Sequence, residues 1–139
     1  MREIYLDNSS TTKVCREAAE KAFQVMTEVY GNPSSLHTMG FAAEQELNAA
    51  RESVAKALGA KPAEITFTSG GTESNNIAVF GAAKSRKKMG NRIVTTAVEH
   101  PSVLNVMAQL EKEGFDVVYL KPDGLGRIFP EQVAEAVDG

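Results

Sequence analysis

The chain has 139 residues, of which 42% are hydrophobic and 24% charged, and a formal net charge of −3 at pH 7. That composition suits an ordinary folded domain with enough residues to bury a core. It argues against a nucleic-acid partner, which requires clustered Lys and Arg. No apolar stretch approaches membrane-spanning length and no apolar signal core stands at the N-terminus, so no membrane partner is expected and a cytoplasmic location is.

An extended arm over residues 3–6 comes first. A helix is expected over residues 17–29, closed by Gly31 and Pro33. Cys15, the only cysteine, stands just ahead of it. A single thiol forms no internal disulfide and has no metal-ligand spacing, so no metal site is expected. We read it as a small apolar residue and not as a nucleophile. Residues 32–37 form a loop, and Asn32-Pro33-Ser34-Ser35 has the composition of a turn. A longer helix runs over residues 40–58, with Leu47, Ala50, Arg51, Val54 and Leu58 near helical spacing, and ends at Gly59 and Pro62.

From residue 64 the pattern changes. Residues 64–67 read as a strand, followed by a glycine turn and a helix over 72–84. The basic run Lys84-Ser85-Arg86-Lys87-Lys88 reads as a solvated helix end favoured by the dipole. A strand over 92–97, a helix over 101–113 and a strand over 116–120 follow. Pro101 opens its helix where a missing N–H costs nothing, and Gly114 closes it as a left-handed cap. After the turn Gly124-Leu125-Gly126 a further helix begins within residues 128–133. Alternating strands and helices with continuously apolar strands such as Val117-Val118-Tyr119-Leu120 place the chain in the α/β class with a parallel sheet.

Ligands of open parallel sheets sit beyond the carboxyl ends of the strands. Two motifs are expected on that edge. In Thr68-Ser69-Gly70-Gly71-Thr72-Glu73-Ser74-Asn75-Asn76 the chain turns through two glycines into a helix. Free backbone N–H groups at the positive end of the dipole, with the Ser69 and Thr72 hydroxyls, make a phosphate cradle. The same residues equally describe a glycine turn with an ordinary helix cap. Neither a Walker loop nor a Gly-x-Gly-x-x-Gly spacing is present. The second motif is Glu99-His100. An imidazole there can stack on a flat ring and move protons near neutral pH, or simply cap the helix that starts at Pro101.

Those two motifs, together with Tyr5-Leu6-Asp7-Asn8-Ser9-Ser10-Thr11-Thr12 and Tyr30-Gly31-Asn32-Pro33-Ser34-Ser35-Leu36-His37, occur in one order and spacing. In this the chain resembles the N-terminal portion of the cysteine desulfurases, enzymes of the class V aminotransferase superfamily that use pyridoxal 5'-phosphate (PLP). The iron–sulfur and nitrogen-fixation branch is the better match. Ser10 departs from the family's usual Ala, a small-for-small change. The resemblance implies a partial parallel-sheet large domain of a PLP fold-type-I enzyme with an extended N-terminal arm. Residues 1–14 would be the arm, part of the family's small domain, and residues 15–139 the N-terminal portion of the PLP-binding large domain.

By the same resemblance, Gly71 and Thr72 hold the cofactor phosphate and His100 is both ring-stacking and catalytic. Asn8, Asn32 and His37 stand near the substrate entrance. Asn75 and Asn76 are read as stabilising the helix start and local packing. The family converts L-cysteine to L-alanine, leaves a persulfide on the enzyme, and passes sulfur to acceptor or scaffold proteins as a homodimer. Its Schiff-base lysine, pyridine-pairing aspartate and nucleophilic cysteine fall beyond residue 139, so a fragment that is inactive by itself, with PLP binding weak or absent, is the expectation. Another class V PLP enzyme, or a non-catalytic phosphate-binding or assembly module, are the alternative readings.

Overall fold

A computed structural model of the chain describes residues 4–138. Glu3, part of the expected arm, lies outside them. The structure divides into two compact units, Met1–Thr66 and Phe67–Gly139.

The first unit is helical. Residues 4–7 carry neither helix nor strand, and a turn follows over residues 8–10. The Tyr5 hydroxyl closes this turn by donating to the carbonyls of Asp7 (2.9 Å) and Thr11 (3.2 Å). Helix α1 spans Arg16–Glu28 and α2 spans Thr38–Leu58. Gly59 ends α2 at φ 66°, a left-handed conformation that glycine takes without the Cβ penalty. Burial here is slight. No residue of α1 is buried, and in α2 only Gly40, Ala43 and Ala55 are.

What fixes this unit most tightly is the approach of backbone to backbone around Gly31 and Gly40. A Cβ on Gly31 would run into the Met39 carbonyl, and one on Gly40 into the carbonyls of Ser35 and Asn32. The loop between these glycines is pinned by its own polar groups. Asn32 accepts from the Ser34 N–H through its side chain (2.9 Å) and from the Ser35 N–H through its carbonyl (2.9 Å).

The second unit is α/β. Helix α3 spans Gly71–Arg86, strand β1 Arg92–Thr96, helix α4 Pro101–Lys112, strand β2 Asp116–Leu120 and helix α5 Pro130–Asp138. β1 and β2 pair in parallel, Arg92 opposite Asp116 and Thr96 opposite Leu120. The Arg92–Asp116 ion pair (2.7 Å) marks the start of that register. Val103, Val106, Met107 and Leu110 recur at helical spacing along α4, so one stripe turns inward. Val106, Met107, Leu110 and Phe115 form the buried cluster, with Val79, Phe80 and Ala83 of α3, Ile93 of β1 and Val117 and Tyr119 of β2 against it. Leu110 is fully buried, which stabilises the unit by about 2 kcal/mol. Gly114 carries φ 86° after α4, the left-handed closure its position requires. The basic run clasps the end of α4: Lys84 pairs with Glu113 (3.1 Å) and Lys87 donates to the Glu113 carbonyl (3.1 Å).

One expected strand does not form. Residues 62–64 make a short 3₁₀ turn, with the Glu64 carboxylate accepting from the Lys61 N–H (2.7 Å), and residues 65–68 form no strand. Ile65 is extended (φ −96°, ψ 124°). Extended backbone becomes a strand only by pairing, and the one ladder among the described residues joins β1 to β2. The apolar sequence set the backbone conformation there, and no ladder forms on it among the described residues.

Candidate functional site

Gly70 is the N-cap of α3, extended at φ 163°, ψ 179°, and having no side chain it supplies no cap of its own. The first i→i−4 bond of the helix runs from the Ser74 N–H to the Gly70 carbonyl (3.1 Å). The N–H groups of Gly71 and Thr72 therefore precede the hydrogen-bonded ladder, at the positive end of the dipole. Beside Gly70 and Gly71 the space is open, since a Cβ built on either meets nothing within 4 Å.

The hydroxyls of this loop do not all face outward as the sequence suggested. The Ser69 N–H and Oγ both donate to Glu73 Oε2, at 2.6 and 2.7 Å. Glu73 stands three residues after the N-cap and reaches back past it to Ser69, leaving the N-cap itself without a side-chain cap. The Ser69 backbone N–H, and then its hydroxyl, hold the Glu73 carboxyl below its usual value. Thr68 Oγ1 meets Ser74 Oγ at 2.7 Å and fixes the loop from the other side. Asn76 donates to the Thr72 carbonyl (2.8 Å), the helix-start role expected of it. Of the two hydroxyls proposed as donors, that of Thr72 stays available, with no side-chain bond among the described residues.

His100 follows β1 and is the N-cap of α4, at φ −60°, ψ 147°, with Pro101 in the first helical position. Its Nδ1 accepts from the Ser102 N–H (3.1 Å) and lies 2.8 Å from Ser102 Oγ. That hydroxyl accepts from Asn75 Nδ2 (2.9 Å). The capping alternative for His100 is thus realised, and it uses only one ring nitrogen. Nε2 and the exposed ring have no partner among the described residues. Asn75 lies one helical turn beyond Thr72. The open N-terminus of α3 and the histidine at the head of α4 are therefore joined through two side chains, Asn75 and Ser102. The expected placement of both motifs after parallel strands holds for His100. For residues 69–72 the preceding strand is absent, and this hydrogen-bonded chain is the connection.

Ser102 is the residue the sequence reading passed over. Its signal was a hydroxyl two positions after a candidate N-cap histidine, in the first turn of a helix, and the structure buries it to 7% exposure. The weaker candidates lie in the first unit. Asn8 sits exposed in the turn over residues 8–10. Asn32 shapes its loop through the Ser34 bond described above. His37 is the N-cap of α2 and accepts from the Gly40 N–H through Nδ1 at 3.3 Å. Among the described residues no group of three or more His, Cys, Asp or Glu is placed to hold a metal ion, and no helix is long and apolar enough to cross a membrane.

Comparison with known proteins gives a consistent result. The family described as "Aminotransferase class-V" matches residues 4–139. A "NifS/IcsS protein homolog" of Lactobacillus delbrueckii subsp. bulgaricus is 49% identical over 135 residues, covering 97% of this chain and 35% of the relative. "Cysteine desulfurase IscS" of Methanosarcina thermophila is 43% identical over 136 residues, covering 98% of this chain and 34% of that protein. Among solved structures, a "NIFS-LIKE PROTEIN" superposes with a TM-score of 0.84 at 40% identity, over 92% of this chain and 35% of the other. "SspA in complex with cysteine" superposes with a TM-score of 0.81 at 39% identity, over 92% of this chain and 37% of that one. The chain spans about a third of the length of these relatives.

Proposed function

The chain belongs to the class V aminotransferase family, and from that premise we propose that it forms the phosphate-binding and ring-stacking part of a PLP-dependent cysteine desulfurase. The observation that carries the reading is the uncapped N-terminus of α3, tied through Asn75 and Ser102 to His100. The donor set fits a phosphate dianion. The N–H groups of Gly71 and Thr72 and the Thr72 hydroxyl would hold it, a Cβ built on Gly70 or Gly71 would meet nothing within 4 Å, and the nearby Glu73 carboxylate is engaged by Ser69. His100 would lie against the pyridine ring, with Nε2 as the group that holds or moves a proton. PLP supplies an electron sink for bonds broken at the amino-acid α-carbon, and the protein supplies orientation.

The substrate reading, L-cysteine, rests on the relatives' names and on the similar protein solved in complex with cysteine. Release of L-alanine, a persulfide passed to iron–sulfur or thiolation acceptors, a homodimer and a cytoplasmic setting belong to the same reading. So does the assignment of residues 1–14 to a smaller domain and of Asn8, Asn32 and His37 to a substrate entrance. None of the nine lysines follows a Ser-x-His sequence. We therefore expect no specific covalent lysine adduct with PLP and no turnover of cysteine by these 139 residues alone.

The test is titration of the chain with pyridoxal phosphate, with inorganic phosphate as competitor. Saturable binding that phosphate displaces and that Thr72→Ala weakens supports the reading. Affinity unchanged by Thr72→Ala refutes the assignment of the cradle.

A further inference from the structure

His100 is held by more than a helix cap needs. A backbone N–H can only donate, so the bond from the Ser102 N–H at 3.1 Å requires a lone pair on Nδ1. In the neutral ring the proton then sits on Nε2. The Ser102 hydroxyl lies 2.8 Å from the same nitrogen and has nothing to give it but its own proton. With its one proton given to Nδ1, the Ser102 oxygen can only accept from Asn75, and Asn75 Nδ2 donates to it at 2.9 Å. The directions of all three bonds follow from one another: Asn75 amide to Ser102 oxygen, Ser102 hydroxyl to Nδ1, Ser102 N–H to Nδ1. Ser102 is buried to 7% exposure, so water competes poorly for its hydroxyl.

We propose that Ser102 and Asn75 are positioning residues that fix His100 as the neutral Nε2–H tautomer, with that N–H presented outward. The inference rests on the functional reading for its purpose but not for its evidence, since every bond in it lies within this chain. It assigns a consequence as well. A ring anchored by two donors at Nδ1 cannot rotate to offer that nitrogen to a ligand, so whatever His100 does to a bound molecule it does through Nε2 or through the ring face.

The chain offers an internal standard. It has two histidines, and His37 is also an N-cap whose Nδ1 accepts a backbone N–H, from Gly40 at 3.3 Å, with no hydroxyl bond to its ring among the described residues. The experiment is nitrogen-15 NMR of the imidazole rings of the full chain, without cofactor, at a pH where both rings are neutral. In the wild-type protein His100 is expected to show an unprotonated Nδ1 and a protonated Nε2, with Nδ1 displaced from that of His37 in the direction of stronger hydrogen bonding. Ser102→Ala should move the His100 Nδ1 signal toward that of His37 and leave His37 still. Ser102→Thr should restore it. Asn75→Ala should move it the same way by less, because the hydroxyl remains but is no longer aimed; this second variant keeps the test open if Ser102→Ala fails to fold. A proton on Nδ1 in the wild type, or an Nδ1 signal unmoved in both alanine variants, overturns the proposal. Pyridoxal phosphate that fails to bind while the tautomer pattern holds would contradict the functional reading and leave this inference standing.

Discussion

The two units of this chain reach order by different means. In the second unit an apolar stripe on α4 is buried against α3 and the parallel pair, and Leu110 is removed from water altogether. In the first unit the helices are as regular but almost nothing is buried: Phe23 and Met26 of α1 are 66% and 68% exposed. Its α2 is bounded by a histidine cap and a left-handed glycine, and its loop is closed by backbone contact at Gly31 and Gly40. Local rules thus suffice to shape helices, whereas the linked side chains of Asn75, Ser102 and His100 meet around a buried hydroxyl. The comparison repeats at the level of single residues. His37 and His100 occupy the same position at the head of a helix, yet among the described residues a second donor meets the ring of His100 and none meets that of His37.

The largest expected effect breaks the core of the second unit. Leu110→Ala should cost about 2–5 kcal/mol, read from urea or thermal unfolding. Phe23→Ala in the first unit should stay within about 0.5 kcal/mol in the same measurement. Equal losses would erase the contrast between the units. Next comes the one place where the first unit is tightly made. Gly40→Ala drives a methyl into the carbonyls of Ser35 and Asn32 and should cost about 1–3 kcal/mol. A wild-type melting curve for this variant would show that the loop is not pinned there.

The cradle comes third. Thr72→Ala removes one charge-assisted donor and should weaken binding of pyridoxal phosphate by about 1–2 kcal/mol, without a matching loss of fold stability. The smallest effect is that of pH on the second unit. Ser69 holds the Glu73 carboxyl below its ordinary value, and the Arg127 backbone N–H and side chain do the same for Asp123. Each depressed carboxyl therefore contributes order that is present above the ordinary carboxylate range and is lost as pH falls through the lowered value. Amide protection over residues 69–73 and 123–127, taken relative to intrinsic exchange at each pH, should fall on acidification through that range. Glu73→Gln should remove the pH dependence of the first segment, and a segment indifferent to pH in the unsubstituted chain would contradict the assignment.

Much of this fold was legible because its signals are local. Gly59 and Gly114 close helices as left-handed residues, Pro101 opens one, and the apolar run from Val117 to Leu120 is a strand. Residues 64–67 misled for the complementary reason. Their β-branched and aromatic side chains specify extended backbone, and pairing depends on a neighbour no local pattern encodes. The site divides in the same way. Gly71, Thr72 and His100 were singled out by their motifs, and the roles expected of them came from the resemblance those motifs carry. The family match confirms the membership that their motifs suggested. That Ser69 turns to Glu73, and that Ser102 and Asn75 link two helices 27 positions apart in sequence, depends on tertiary placement, and the sequence pattern alone did not contain it.

The central claim is that the head of α3, and not the helix head of the first unit, is built for a phosphate ligand. Backbone amide NMR of the full chain during titration with pyridoxal phosphate tests it most directly. The expected result is saturable displacement of the Gly71 and Thr72 amide signals and of the His100 ring, with the Gly40 amide and the His37 ring unmoved. Displacement centred on residues 37–40, or no displacement at Gly71 and Thr72 at saturating ligand, would contradict it.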